Sequence, residues 1–128
     1  MKSNRSAGVI LHPTCLPSRF GIGDLGPTAA AYLEWLGGAG VQWWQVLPLH
    51  PPGPGNSPYS AISTFAGNEL LISPELLVED GLLDEADVAE VPALPTEWVE
   101  FGDDVTYKTG LLKRAYQRFR GSQPAGLT

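Results

Sequence analysis

The stretch that decides the fold is GVILHPTCLPSRFGIGDLGPTAAAYLEWLGGAGVQWWQVLPL, Gly8 to Leu49. It opens on a short apolar run, GVIL at 8–11, closed by His12-Pro13. Bounded in this way, the run reads as a buried strand. A turn-rich segment, TCLPSRFGIGDLG, follows, and Pro27 then opens PTAAAYLEWLGGAG. A first-turn proline, an alanine run and the Gly37-Gly38 stop predict a helix of about three turns, with Tyr32, Leu33 and Leu36 on its buried face. VQWWQVLPL, residues 41–49, is rich in aromatic and branched side chains and predicts a second strand. That strand ends at Pro48, which has no N–H for a ladder. Strand, helix and strand within about 40 residues make a βαβ unit, hence a parallel sheet with a right-handed crossover. The fold class is α/β. Ligands gather beyond the C-terminal ends of parallel strands. LHPPGPGNSPYSAISTFAGN, residues 49–68, occupies that position.

Downstream, NELLIS at 68–73 is expected as a short strand. Ser73-Pro74-Glu75 is a helix start, and SPELLVEDG stops at Gly81. Residues 82–95 read as irregular or as one small helical turn. Asp103 or Asp104 caps a helix over 105–120, with Leu111, Leu112, Ala115 and Phe119 at helical period and Gly110 weakening its middle. The tail from Gly121 reads as frayed, and no internal repeat is present. The organisation expected is 1–72 as opening strands, helix and ligand-side loop, and 73–128 as an acidic helical segment with its following helix. Two strands cannot close a sheet, and an eight-stranded α/β barrel takes roughly 250 residues. The chain is therefore expected to be a smaller α/β domain or the opening part of something longer. An incomplete sheet would expose strand edges and apolar faces and lower solubility.

Composition limits the partners. With 128 residues, 43% hydrophobic and 17% charged, the chain is one domain able to bury a core. Net charge is −6, and no Lys or Arg occurs between Phe20 and Asn68. That excludes the basic footprint of a nucleic-acid surface and argues against a phosphorylated ligand there. Lys113, Arg114, Arg118 and Arg120 cluster near a helix C-terminus, where cations suit the dipole. Glu75 to Asp104 holds eleven acids and no base, and reads as a solvated face without calcium-loop spacing. Cys15 is the single cysteine, so no intrachain disulfide forms and a reducing, cytoplasmic compartment is expected. Its neighbour His12 lacks the third group that a catalytic cysteine pair needs. The N-terminal apolar run is too short for a signal peptide, and no segment reaches the ~20 apolar residues of a membrane helix.

Little catalytic machinery is visible. No metal-ligand spacing appears, and Ser57, Ser60 and Ser63 lack the G-x-S-x-G frame. Gly21, Gly23 and Gly26 have G-x-G-x-x-G form, which raises a dinucleotide site. Against it, the strand ends at Leu11, ten residues before Gly21, and Asp24 would repel a pyrophosphate. What remains is the neutral loop around Tyr59. A pyranose has an apolar C–H face and a rim of hydroxyls, so it suits an aromatic plate with small polar partners. Tyr59 supplies the plate, and Asn56, Ser57, Ser60, Ser63, Thr64 and Asn68 supply donors and acceptors. Pro54 and Pro58 lower the entropy cost of ordering the loop. The same tyrosine reads equally as a core aromatic packed at the sheet rim. Trp43 and Trp44 read as core residues of the strand, and Trp35 and Trp98 as packing residues.

SRFGIGDLGP, WWQVLPL and SPYSAISTFAGN, in that order and spacing, resemble the start of the 4-α-glucanotransferases, the amylomaltases or disproportionating enzymes of glycoside hydrolase family 77. The resemblance runs from about Arg5 to about Phe119. It implies the first βαβ portion of a (β/α) eight-stranded TIM barrel, incomplete in this chain, with part of an inserted helical subdomain. It implies transfer of α-1,4-glucan segments to glucose or glucan acceptors with retention, through two carboxyl groups about 5–5.5 Å apart. It implies α-1,4-glucan or maltooligosaccharide as partner, with no metal, cofactor, nucleic acid or membrane. Through the SPY match it implies substrate contact by Tyr59, with Ser57 the weaker of the two. Asn68 is expected to shape the loop. The family's catalytic carboxylates fall beyond residue 128, and Asp24 matches none of them. The alternative expectation is a non-catalytic α-glucan-binding or structural fragment.

Overall fold

A computed structural model describes residues 5–95 and 97–122. Two short strands, β1 (Gly8–Ile10) and β2 (Trp43–Gln45), flank helix α1 (Pro27–Gly38). They pair in parallel, with Val9 opposite Trp44. The pairing continues one residue either way, through Gln42 N–H to Ala7 O at 3.0 Å and Leu11 N–H to Gln45 O at 3.1 Å. The βαβ unit is therefore present. The strands are shorter than 8–11 and 41–49, and they are not buried. Ile10 is exposed, and Trp43 keeps 65% of its surface. Among the described residues the sheet has two strands, and alternating side chains that would be core in a wider sheet meet solvent. Trp35, Trp98 and Leu33 are exposed as well, contrary to the packing roles expected of them. Trp44 is half-buried. Its indole N–H donates to Leu11 O at 2.7 Å, and its ring meets the edge of Tyr32 at 5.3 Å between centroids. Helix α1 buries Ala29 and Leu36.

The expected strand at 68–73 is a turn of 3-10 helix, Glu69–Leu71. Asn68 explains the difference: its Oδ1 accepts the Leu70 N–H at 3.0 Å and caps a turn where a strand would need a ladder partner. A second such turn, Pro13–Cys15, follows β1. Helix α2 (Pro74–Glu79) begins after Ser73, whose hydroxyl donates to Glu75 Oε2 at 3.1 Å and makes no bond to the backbone of the first turn. The segment left open at 82–95 contains helix α3 (Glu85–Ala89), started by a capping box between Asp84 and Asp87. Helix α4 runs Asp103–Ser122, so Gly121 and Ser122 extend it where fraying was expected. The rest of the tail, 123–128, lies outside the described residues.

The main core lies among the later helices. Phe20, Leu83, Val88, Leu111 and Ala115 are buried together, with Leu77, Val78, Leu82 and Tyr107 packed against them. Large buried side chains such as these are worth ~1.5–3 kcal/mol each, and Leu16, Ile22, Leu36, Leu70 and Leu71 are buried outside the cluster. Arg114 and Arg118 tie α4 to α3 through Asp87 at 2.6 and 2.7 Å, and Arg118 also reaches Asp84 at 2.9 Å. Two members of the basic cluster, Arg114 and Arg118, are thus structural, and part of the acidic run pairs with them. The Asp84 N–H, followed by Arg114 and Arg118, holds the Asp87 carboxyl below its ordinary range. Asp104 departs furthest from a solvated acid, since it is wholly buried.

Candidate ligand cleft beyond the parallel strands

The chain leaves β2 through Leu47 and Pro48 and folds into a tight loop over 49–68. An antiparallel bridge joins Pro52 to Ala61. Gly53 N–H donates to Ser60 O, and Ile62 N–H donates to Pro51 O at 3.1 Å. Gly55 and Asn56 both take positive φ, +85° and +55°, which makes the turn. Glycine adopts this freely and asparagine at small cost. Ser57 Oγ accepts the Tyr59 N–H at 3.3 Å, and Ser63 Oγ accepts the Phe65 N–H at 3.3 Å. Ser57 therefore shapes the loop that presents Tyr59. The Tyr59 side chain is 74% exposed. Ile62 and Phe65 on the same loop are exposed too, and the sequence reading passed them over. Two apolar side chains inside a Ser/Pro/Gly loop were the available signal.

Beneath this loop lies a cavity of about 230 Å³. Thr14, Ile22, Asn56, Pro58, Leu70 and Phe101 are among the residues that line it. Among the described residues no carboxylate lines it. His12 stands at the end of β1. Its Nδ1 lies 2.8 Å from Thr14 Oγ1 and accepts the Thr14 N–H at 3.3 Å, while Nε2 faces Pro48 O at 3.4 Å. His50 Nδ1 is buried without a partner. The cleft is neutral, largely apolar and edged by hydroxyl and amide groups. It suits the C–H face of an uncharged polyhydroxylated ligand better than an anion.

The three glycines of the G-x-G-x-x-G pattern do other work. A Cβ on Gly23 would lie 2.3 Å from Pro13 O and 2.4 Å from Leu16 O, and one on Gly26 would lie 2.3 Å from Ser73 Oγ. They allow close packing of the chain on itself. Asp24 Oδ1 also occupies the Gly26 N–H at 3.0 Å, which removes a donor a phosphate would use. Among the described residues no group of three or more His, Cys, Asp or Glu could hold a metal ion. No described helix is long and apolar enough to cross a membrane.

A sequence profile of the 4-alpha-glucanotransferase family matches residues 11–127. The chain belongs to the 4-alpha-glucanotransferase family. The 4-alpha-glucanotransferase of Synechocystis is 43% identical over 120 residues, covering 94% of this chain and 24% of the relative. The chloroplastic/amyloplastic 4-alpha-glucanotransferase of Solanum tuberosum is 48% identical over 123 residues, covering 93% of this chain and 21% of the relative. In structure, the chain is similar to an amylomaltase from Streptococcus agalactiae in complex with acarbose. The TM-score is 0.87 at 31% identity, over 94% of this chain and 24% of that one. The chain thus spans about a quarter of the length of the 4-alpha-glucanotransferases it matches.

Proposed function

We propose that these 128 residues form the opening βαβ portion of a TIM-barrel 4-α-glucanotransferase and supply part of its glucan-contacting surface. The observation that carries this reading is the family match over 11–127, together with an exposed Tyr59 on the loop beyond the C-terminal end of β2. The ligand is an α-1,4-glucan or maltooligosaccharide. The acarbose complex of the Streptococcus agalactiae amylomaltase supports that class of ligand. Tyr59 stacks on a glucose ring, while Ser57 holds the loop and offers its hydroxyl at the rim. The whole enzyme moves a glucan segment to the 4-hydroxyl of an acceptor with retention. That chemistry needs a nucleophile and an acid/base carboxyl about 5–5.5 Å apart. We assign both to polypeptide other than these residues, since among the described residues no carboxylate lines the cleft.

The test is calorimetric and enzymatic. The 128-residue chain is expected to bind maltoheptaose and to release no glucose from maltotriose. Tyr59→Ala is expected to weaken binding about tenfold, the loss of one aromatic contact, with the melting temperature unchanged. Equal affinity in the two proteins would remove Tyr59 from the site. Glucose release by the purified chain would remove the division of labour and put catalytic groups within it.

A further inference from the structure

Helix α4 carries a buried stripe at Asp104, Lys108, Leu111 and Ala115, one helical face in which the first two members are charged. Lys108 has no exposed surface, and its ammonium donates to Asp24 Oδ2 at 2.6 Å. Asp24 uses its other oxygen for the Gly26 N–H. The segment 20–26 is thereby fastened to α4, and it is fastened elsewhere as well. Gly23 N–H donates to Thr14 O at 3.2 Å, and Leu25 N–H donates to Leu71 O at 3.0 Å. Gly21, at φ +84°, lies so close to Asp104 that a Cβ would fall 2.3 Å from its carboxyl carbon. Thr14 and Leu70, from the two turns so strapped, line the cavity, and Ile22 within the segment lines it directly. The segment is a strut between α4 and both turns.

A buried ion pair adds little net stability over an apolar pair of the same size, because both charges are desolvated. Its directional geometry is what an apolar pair lacks. We propose that Asp24 and Lys108 are positioning residues for the glucan cleft, fixing the 20–26 strut to α4 and so the placement of Thr14, Ile22 and Leu70 at the cavity. This rests on the reading of the cleft as a glucan site. Burial pushes the Lys108 ammonium below the ordinary lysine value of 10.5, against the pull of Asp24 and, more weakly, Glu75. Asp104, one turn away on α4, is the remaining acid beside it in the stripe.

The experiment uses the 128-residue chain with Lys108→Met and with the paired replacement D24L/K108M. Melting temperature, maltoheptaose affinity and amide exchange at Gly23 and Leu25 are measured on each. Lys108→Met leaves a buried carboxylate unpaired and is expected to lower the melting temperature and weaken binding about tenfold. The paired replacement is expected to recover the melting temperature, while affinity stays about tenfold down and Gly23 and Leu25 exchange about tenfold faster than in wild type. Raising pH toward 10.5 is expected to weaken glucan binding in wild type and not in the paired variant. Affinity and protection that return together with the melting temperature would reduce the pair to a structural role and overturn the proposal. If the wild-type chain does not bind maltoheptaose, the glucan reading fails, and exchange at Gly23 and Leu25 alone decides whether the pair positions the cavity lining. If neither variant folds, the wild-type pH series decides: binding that weakens together with lost protection at Gly23 and Leu25 supports the pair, and binding and protection that both stay flat overturn it.

Discussion

The two parts of this molecule invert the usual relation between sequence signal and packing. Residues 5–72 carry the apolar strands and three of the four tryptophans, yet Ile10, Trp35 and Trp43 face solvent. Residues 73–122 carry most of the acids, yet they supply four of the five residues of the connected core cluster, the fifth being Phe20; Leu16, Ile22, Leu36, Leu70 and Leu71 are buried in the earlier part away from the strands. Hydrophobic composition states what a segment can bury. Whether it does so depends on the layers around it, and a two-stranded sheet supplies few. The later helices cross one another and enclose their apolar faces with six or fewer turns each.

The sharpest way to break this comparison is to truncate one large side chain on each side of it. Leu111→Ala in the helical core is expected to cost about 2–5 kcal/mol, because the cavity it leaves is walled by Phe20, Leu83 and Val88. Trp43→Ala removes a larger side chain but one already in water, and is expected to cost under ~1 kcal/mol. Urea titration of both variants gives the two numbers. Equal losses would mean that the strand part is as well packed as the helical part.

Gly21 tests the seam between the parts. Its positive φ and its contact with Asp104 leave no room for a methyl group. Gly21→Ala is expected to cost about 1–3 kcal/mol from the backbone alone, with displacement of the buried carboxyl added. A chemical-denaturation midpoint that does not move would show that the two parts are not pressed together there. Arg118→Ala stays within the helical part. Arg118 is partly exposed and bridges Asp84 and Asp87, so its loss is expected to cost about 1 kcal/mol in low salt and less in high salt.

Much of the architecture was legible from residue order. Pro27 and Gly37-Gly38 bracket α1 because a first-turn proline and a terminal glycine act locally. The parallel pairing follows from strand, helix and strand in so short a span. The Tyr59 loop was legible because proline and glycine mark turns whatever surrounds them. Strand burial was not legible, because it is a property of neighbours. The Asp24–Lys108 pair was not legible either, since its members lie 84 residues apart and no local rule links them. One signal was available: the apolar stripe at Leu111 and Ala115, extended toward the N-terminus at the same period, runs through Lys108 and Asp104. A charged residue on a buried stripe calls for a partner.

Asp104 gives the finest measure of how tightly the seam is closed. Burial raises its carboxyl above the ordinary value of 3.8, its bond from the Glu100 N–H opposes that, and Asp103 beside it reinforces it. Its second oxygen is buried without a partner. A raised folded-state value means that the native chain holds this proton more tightly than the unfolded chain. Stability from this group is then fully present below 3.8 and is lost as pH rises through the folded value. Asp104→Asn removes the titration while its carbonyl can still accept from Glu100. Unfolding free energies of wild type and Asp104→Asn, measured in urea across the acid to neutral range, are expected to diverge with rising pH, the wild type losing ground. Parallel curves would mean that water reaches this carboxyl at the Gly21 contact. The strut would then rest on Lys108 alone, and the boundary between the open strand part and the packed helical part would lie closer to α4.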